Sequence, residues 1–202
     1  MSLRYLALGD SYTVGEGVAA AERWPVVLVR HLSRGGAAIG APRIVAVTGW
    51  TTDELAAGMD AAALSPPFDL VTLQIGVNNQ YRGRPPGEYR SQFAALLARA
   101  ITLAGGHAGH VVVLSIPDWG VTRFARGQAR DPARIACEVD VFNAIARDEA
   151  ARAGARFVDI TALSRRHPQL LADDGLHPSA AQYALWVAAV APVARAALRS
   201  AP

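Results

Sequence analysis

Short apolar runs rich in branched residues alternate along the chain with longer alanine-rich stretches whose apolar positions recur every three to four residues. The first pattern predicts buried strands and the second predicts helices. Five runs read as strands: Arg4 to Leu8, Arg43 to Thr48, Leu70 to Ile75, His110 to Ile116 and Arg156 to Ile160. Between them, Trp24 to Ser33, Thr52 to Leu64, Glu88 to Ala104 and Pro132 to Ala153 carry helical spacing, and Ser179 to Leu198 follows the last strand as a further helix. Near-continuous apolar strands separated by helices are the signature of a parallel sheet covered on both faces, because parallel neighbours need a crossover. Residues 1–202 therefore read as one α/β domain, with the Pro/Gly-rich patches at Gly35 to Pro42 and Gly83 to Gly87 as surface loops.

In such a sheet, right-handed crossovers bring all strand C-termini to one edge, and ligands bind in the crevice beyond it. The polar and glycine-bearing blocks fall there. Gly9-Asp10-Ser11 follows the first strand, Gly49-Trp50 the second, Gly76-Val77-Asn78-Asn79 the third and Pro117-Asp118-Trp119-Gly120 the fourth. Asp174-Gly175-Leu176-His177 follows the fifth after a loop and opens the last helix.

Composition narrows the chemistry. All twenty basic residues are arginine, which excludes Schiff-base chemistry, a P-loop lysine and a Ser-Lys dyad. The formal charge of +3 comes from scattered arginines, with Arg165-Arg166 the only adjacent pair, so no nucleic-acid footprint is expected. Cys137 is the single cysteine, which rules out an intrachain disulfide and reads as a buried apolar residue on a helix. The apolar run Tyr5 to Leu8 is too short for a signal peptide, which makes a cytoplasmic chain the expectation. Gln182, Pro192 and Arg195 interrupt the apolar end, so no membrane span is expected. His31, His107, His110 and His167 lack a ligand pattern, and neither a metal nor a cofactor is expected.

Taken in order, Gly9-Asp10-Ser11, Gly49, Gly76-Val77-Asn78 and Asp174-Gly175-Leu176-His177 resemble the four blocks of the SGNH hydrolases, the GDSL-type esterases and lipases. Each block is common by itself. Four in order, each beyond a strand, are specific together. The resemblance runs from the first strand to the last helix, and it implies a three-layer α/β/α sandwich with flavodoxin-like strand order 2-1-3-4-5. It also implies a serine esterase acting on a small-molecule ester: a lipid or aryl ester, a thioester or a sugar acetate.

The chemistry suits these residue types. A serine hydroxyl is a poor nucleophile at neutral pH and needs a base within reach, which an imidazole supplies. Ser11 and His177 fit those parts. Asp174, three residues before His177, is spaced to reach the imidazole Nδ1 and fix its tautomer. The tetrahedral intermediate needs donors where negative charge develops, and the resemblance implies the backbone N–H groups of Ser11 and Gly49 and the side-chain amide of Asn78. The family's third block usually ends in Asp, whereas Asn79 stands here. Asp10 reads as a structural residue that hydrogen-bonds the turn presenting Ser11.

Among the aromatics, Trp24 reads as core, while Trp50, Tyr81 and Trp119 are candidates for the substrate pocket. Arg82 and Arg123 could face the cleft. Two other readings compete. An aspartyl phosphatase using Asp10 would need a second Asp two residues on, where Tyr12 stands, and a lysine. A non-catalytic small-ligand module on the same scaffold leaves Ser11, Asp174 and His177 without a purpose. With no inserted lid domain, a shallow cleft for short or medium acyl chains is expected.

Overall fold

The computed structural model describes residues 2–199. Its five strands are β1 Tyr5–Gly9, β2 Arg43–Ala46, β3 Leu70–Gln74, β4 Val111–Leu114 and β5 Arg156–Val158. They form one parallel sheet in the order β2-β1-β3-β4-β5, the flavodoxin-like order that the family resemblance implies. Neighbours pair in register, with Leu8 opposite Val45 on one side and Leu73 on the other. Every residue of β1, β3 and β4 is buried, as a sheet covered on both faces requires.

Nine α-helices lie among the described residues. They are α1 Ser11–Val14, α2 Trp24–Arg34, α3 Thr52–Ala61, α4 Val77–Tyr81, α5 Pro86–Leu103, α6 Arg123–Arg126, α7 Pro132–Ala153, α8 Thr161–Arg166 and α9 Ala180–Arg199. Helix α2 packs on α9, while α3 and α7 flank α5. These sets form the two outer layers of the sandwich. The ends of the long helices carry ordinary signals. Asp131 caps α7, accepting from Ala133 N at 3.0 Å, and Gly154 ends it in the left-handed conformation.

The long helices match the sequence reading to within a few residues. The short ones α1, α4, α6 and α8 were not anticipated, because four to six residues are too few to show a period. Strand β2 stops at Ala46 and β5 at Val158, two residues short of expectation in each case, as the chain turns away to form the rim. Cys137 is exposed, contrary to expectation: α7 turns Ile135, Val139, Phe142 and Ala146 inward, which points Cys137 outward. Helix α9 is long and apolar enough by length and composition to cross a membrane. Here it is a core helix running through Pro192, with Tyr183, Trp186, Val187, Val190 and Ala194 buried.

Candidate active site

Strand β1 ends at Gly9, and the chain enters α1 within two residues. A Cβ on Gly9 would lie 2.2 Å from Thr13 Oγ1 and 2.6 Å from the Gln74 carbonyl, so only glycine lets this turn close. Asp10 is the N-cap, its Oδ1 accepting from Tyr12 N at 3.0 Å. Ser11 is therefore the first helical residue, at the sheet's C-terminal edge beyond β1, the strand between β2 and β3. From the far end of the chain, Tyr183 donates its hydroxyl to the Tyr12 carbonyl at 3.1 Å. Asp10 itself is wholly buried, and its Oδ2 has no hydrogen-bond partner. Burial pushes its pKa up to about 7, against the opposing pull of the Tyr12 N–H. It does not line the cavity, so the phosphatase reading, which needs Asp10 in contact with substrate, fails.

His177 stands in a tight loop before α9, closed by a bridge between Leu171 and Pro178 and by Ala172 N donating to the His177 carbonyl at 2.8 Å. Asp174 Oδ2 lies 2.5 Å from His177 Nδ1, and Asp174 Oδ1 accepts from Leu176 N at 2.8 Å and His177 N at 3.0 Å. The three-residue spacing thus places the carboxylate where it holds both the ring and the loop that carries it. Partial burial raises the Asp174 pKa, but the hydrogen bonds from His177 and the two N–H groups outweigh it and hold the carboxyl below its usual value. The Tyr12 ring abuts the imidazole edge-on at 5.6 Å. Ser11 and His177 line the same cavity. No hydrogen bond joins them among the described residues, a contact that catalytic pairs commonly tighten only with substrate present.

Beside Ser11 runs the loop after β2. Gly49 has φ +88°, a left-handed conformation that glycine adopts without strain. Asn78, early in α4, donates from Nδ2 to the Trp50 carbonyl at 2.9 Å, which leaves the second hydrogen of the amide for another acceptor. The backbone N–H groups of Ser11 and Gly49 have no acceptor among the described residues. Asn79 accounts for the departure from the usual block. Fully buried, it accepts from Thr52 N at 3.1 Å and donates to Thr52 Oγ1 at 2.7 Å, while that hydroxyl donates to Gln92. A carboxylate could not donate to Thr52, so the amide matches a hydroxyl already committed to Gln92.

The cavity measures about 170 Å³ and is mostly apolar. Beyond Ser11 and His177 it runs to an aromatic end formed by Tyr81, Trp119 and Phe124, with Val77 and Leu176 alongside. Trp119 Nε1 donates to Gln80 Oε1 at 2.7 Å, and Gln80 Nε2 donates to Glu138 at 2.7 Å. The Arg130 guanidinium sits 5.7 Å from both the Tyr81 and Trp119 ring centroids. Under the same loop, Asp118 is buried and paired with Arg165 at 2.8 Å.

Two of the three candidate pocket aromatics, Tyr81 and Trp119, line this cavity. Trp50 does not: its indole lies over Gly58 of α3, where a Cβ would come within 2.1 Å of the ring, so the missing side chain makes the slot that draws it away. Trp24 is fully buried, as expected. Arg82 and Arg123 are not lining residues either, and each is braced on backbone carbonyls, Arg82 on Gly49 and Arg123 on Ala172. Tyr12, Thr48, Val77, Phe124 and Leu176 also line the cavity and were not among the candidates. Leu176 lay inside a block already singled out, but Phe124 sits on a helix of four residues with no period to read. Among the described residues, no group of three or more His, Cys, Asp or Glu side chains is placed to hold a metal ion.

Comparison with known proteins bears on the fold and the family. Solved structures with the same fold include TesA (TM-score 0.76, 18% identity, 96% of this chain and 99% of that one). They also include LAE5, an alpha/beta hydrolase enzyme from the metagenome of Lake Arreo, Spain (0.72, 24%, 99% of each chain). A third is a catalytic mutant of Axe2, an acetylxylan esterase from Geobacillus stearothermophilus (0.72, 19%, 96% and 95%). At these identities the likeness shows the fold. A search of curated proteins finds no match. The model of the GDSL-like lipase/acylhydrolase family matches residues 7–185, from within β1 into α9. With that span covering all four blocks, the chain belongs to the GDSL-like lipase/acylhydrolase family and is a serine carboxylic ester hydrolase.

Proposed function

We propose that Ser11, His177 and Asp174 carry the reaction, and that the substrate is an ester with a short or medium apolar acyl chain or a small aryl group. The observation behind the first part is the Asp174–His177 contact of 2.5 Å with Ser11 in the same cavity. Ser11 Oγ attacks the ester carbonyl as its proton passes to His177 Nε2. The new imidazolium is stabilised by Asp174 at Nδ1. Negative charge then rests on the former carbonyl oxygen, among the Ser11 N–H, the Gly49 N–H and the free Asn78 amide hydrogen. When the carbon–oxygen bond to the alcohol breaks, His177 returns the proton to the leaving oxygen. Water repeats the sequence on the acyl-enzyme, releasing the acid and restoring Ser11.

The second part rests on the cavity. A volume of about 170 Å³ lined by apolar and aromatic groups compares with the roughly 150 Å³ apolar cavity that takes up benzene. That is room for a phenyl ring or a few methylenes. The aromatic end offers few polar partners for sugar hydroxyls, so an apolar acyl or aryl group suits it better than a sugar acetate. The test is hydrolysis of p-nitrophenyl esters from acetate to dodecanoate, beside acetylated xylan. A maximum between butyrate and octanoate is expected, lost in folded Ser11→Ala and His177→Ala. A rate that climbs steadily to dodecanoate, or a preference for acetylated xylan, would overturn the substrate reading.

A further inference from the structure

From Gly49 through Thr51, every backbone polar group except one has a partner. The Gly49 carbonyl accepts from Arg82 Nη2 at 2.7 Å and the Trp50 carbonyl accepts from Asn78. Trp50 N donates to Val47, Thr51 N to Glu54, and the Thr51 carbonyl accepts from Leu55 N. One group is left over, the Gly49 N–H, and it sits in a residue lining the cavity. Just upstream, the Thr48 hydroxyl donates to Glu16. The loop is thus gripped so that a single donor is spare.

The Arg82 grip stands out chemically. Arg82 caps α4, four residues after Asn78, so one short helix holds two consecutive carbonyls of the loop. Its contact with Gly49 is a charge-assisted hydrogen bond at 2.7 Å, and its other nitrogen reaches Glu54 Oε1 at 3.2 Å. Glu54 in turn accepts from Thr51 N at 2.8 Å, closing a ring from loop to α3 to Arg82 and back. At φ +88°, Gly49 has no side chain to pin it, and glycine is the residue most free to turn its peptides.

We propose that Arg82 is a positioning residue: by holding the Gly49 carbonyl it fixes the Gly49–Trp50 peptide and with it the Gly49 Cα and backbone angles, the pivot from which the N–H of the preceding peptide is directed toward the developing oxyanion, and it does so without touching substrate. The inference rests on the esterase reading above. Arg82 and Glu54 are both more than a third exposed, so their ion pair adds little to stability and its loss should leave the fold intact. A misplacement of one donor can cost up to about 100-fold in rate.

The test compares the intact protein with Arg82→Met, Arg82→Ala and Arg82→Lys on p-nitrophenyl butyrate. It also measures inhibition by butylboronic acid, whose adduct with Ser11 places a tetrahedral oxygen among the same donors. For Arg82→Met a fall of roughly 10- to 100-fold in kcat is expected. KM should stay within about twofold, Tm should hold, and boronate affinity should weaken in proportion to kcat. Added guanidinium should restore part of kcat in Arg82→Ala, and Arg82→Lys should fall between Met and wild type. Unchanged kcat, a loss confined to KM, or a kcat loss without weaker boronate binding would each overturn the proposal. Should Arg82→Met fail to fold, Arg82→Lys with unchanged kcat and boronate affinity would overturn it equally. If wild type hydrolyses no ester, the esterase reading has failed first, and Arg82 has no role to position.

Discussion

The two ends of the cavity are built differently. At the nucleophile end the side chains hang from backbone with almost no freedom: Gly9 closes against Thr13 and Gln74, Asp10 caps α1, and Asp174 holds both the ring and the loop of His177. At the aromatic end, Tyr81 arrives from α4 and Trp119 and Phe124 from the stretch after β4, and they are held by one another and by Gln80, Glu138 and Arg130. Chemistry needs atoms placed to a fraction of an ångström, which the sheet edge supplies. Selectivity among apolar groups needs only volume and shape, which loop side chains can supply and exchange. The first end should therefore be intolerant of change and the second adjustable.

The comparison breaks at once if Ser11→Ala or His177→Ala stays active. Each is expected to lower kcat by about 10⁴-fold or more with little change in Tm, measured on p-nitrophenyl butyrate. The next effect concerns stability. Asp10 has its folded pKa raised to about 7 from an unfolded value of 3.8, so the folded state binds the extra proton between these values. Its favourable contribution is full below about pH 3.8, declines as pH rises, and is gone above about pH 7. Asp10→Asn keeps the cap acceptor and cannot ionise, so the gap in stability between variant and wild type should move in the variant's favour by a few kcal/mol from pH 4 to pH 8, read from urea midpoints. Parallel pH curves would show that the buried carboxyl is not the source.

Asn78→Ala comes third, with about 2.7 to 4 kcal/mol of transition-state stabilisation lost and KM little altered. Unchanged kcat would remove its amide from the oxyanion site. Smallest, and on the other side of the comparison, is Phe124→Ala. It should lower kcat/KM for hexanoate by about tenfold while acetate is almost untouched, since a missing contact in an apolar pocket costs only a few kcal/mol at most. Equal losses on both esters would mean that the aromatic end supports the catalytic end and does not choose among chains.

The same division governs what could be read without coordinates. That Gly9, Ser11, Gly49, Asn78, Asp174 and His177 reach one edge was legible because each stands just beyond a strand or in one contiguous block, and strands announce themselves by apolar runs, while the oxyanion parts proposed for Ser11, Gly49 and Asn78 came from the family resemblance. The long helices followed from the same kind of pattern, whereas the sheet order came from the resemblance of the four blocks to the family. Trp50 misled because position after a strand says which edge a residue reaches, and not which way its ring turns; Gly58, eight residues on, decided that. Phe124 and the grip of Arg82 on Gly49 were hidden for a related reason. Both depend on short helices and on contacts between segments far apart in sequence, which no local period encodes.

The Tyr183 hydroxyl on the Tyr12 carbonyl has a consequence for the order of events at the ribosome. Ser11 is made before four of the five strands and His177 after all of them, and the clamp on the turn that carries Ser11 comes later still, from α9. No nascent chain short of that tyrosine holds a finished site. The hydrogen bond that completes the turn at Ser11 is thus available only once all five strands have been made.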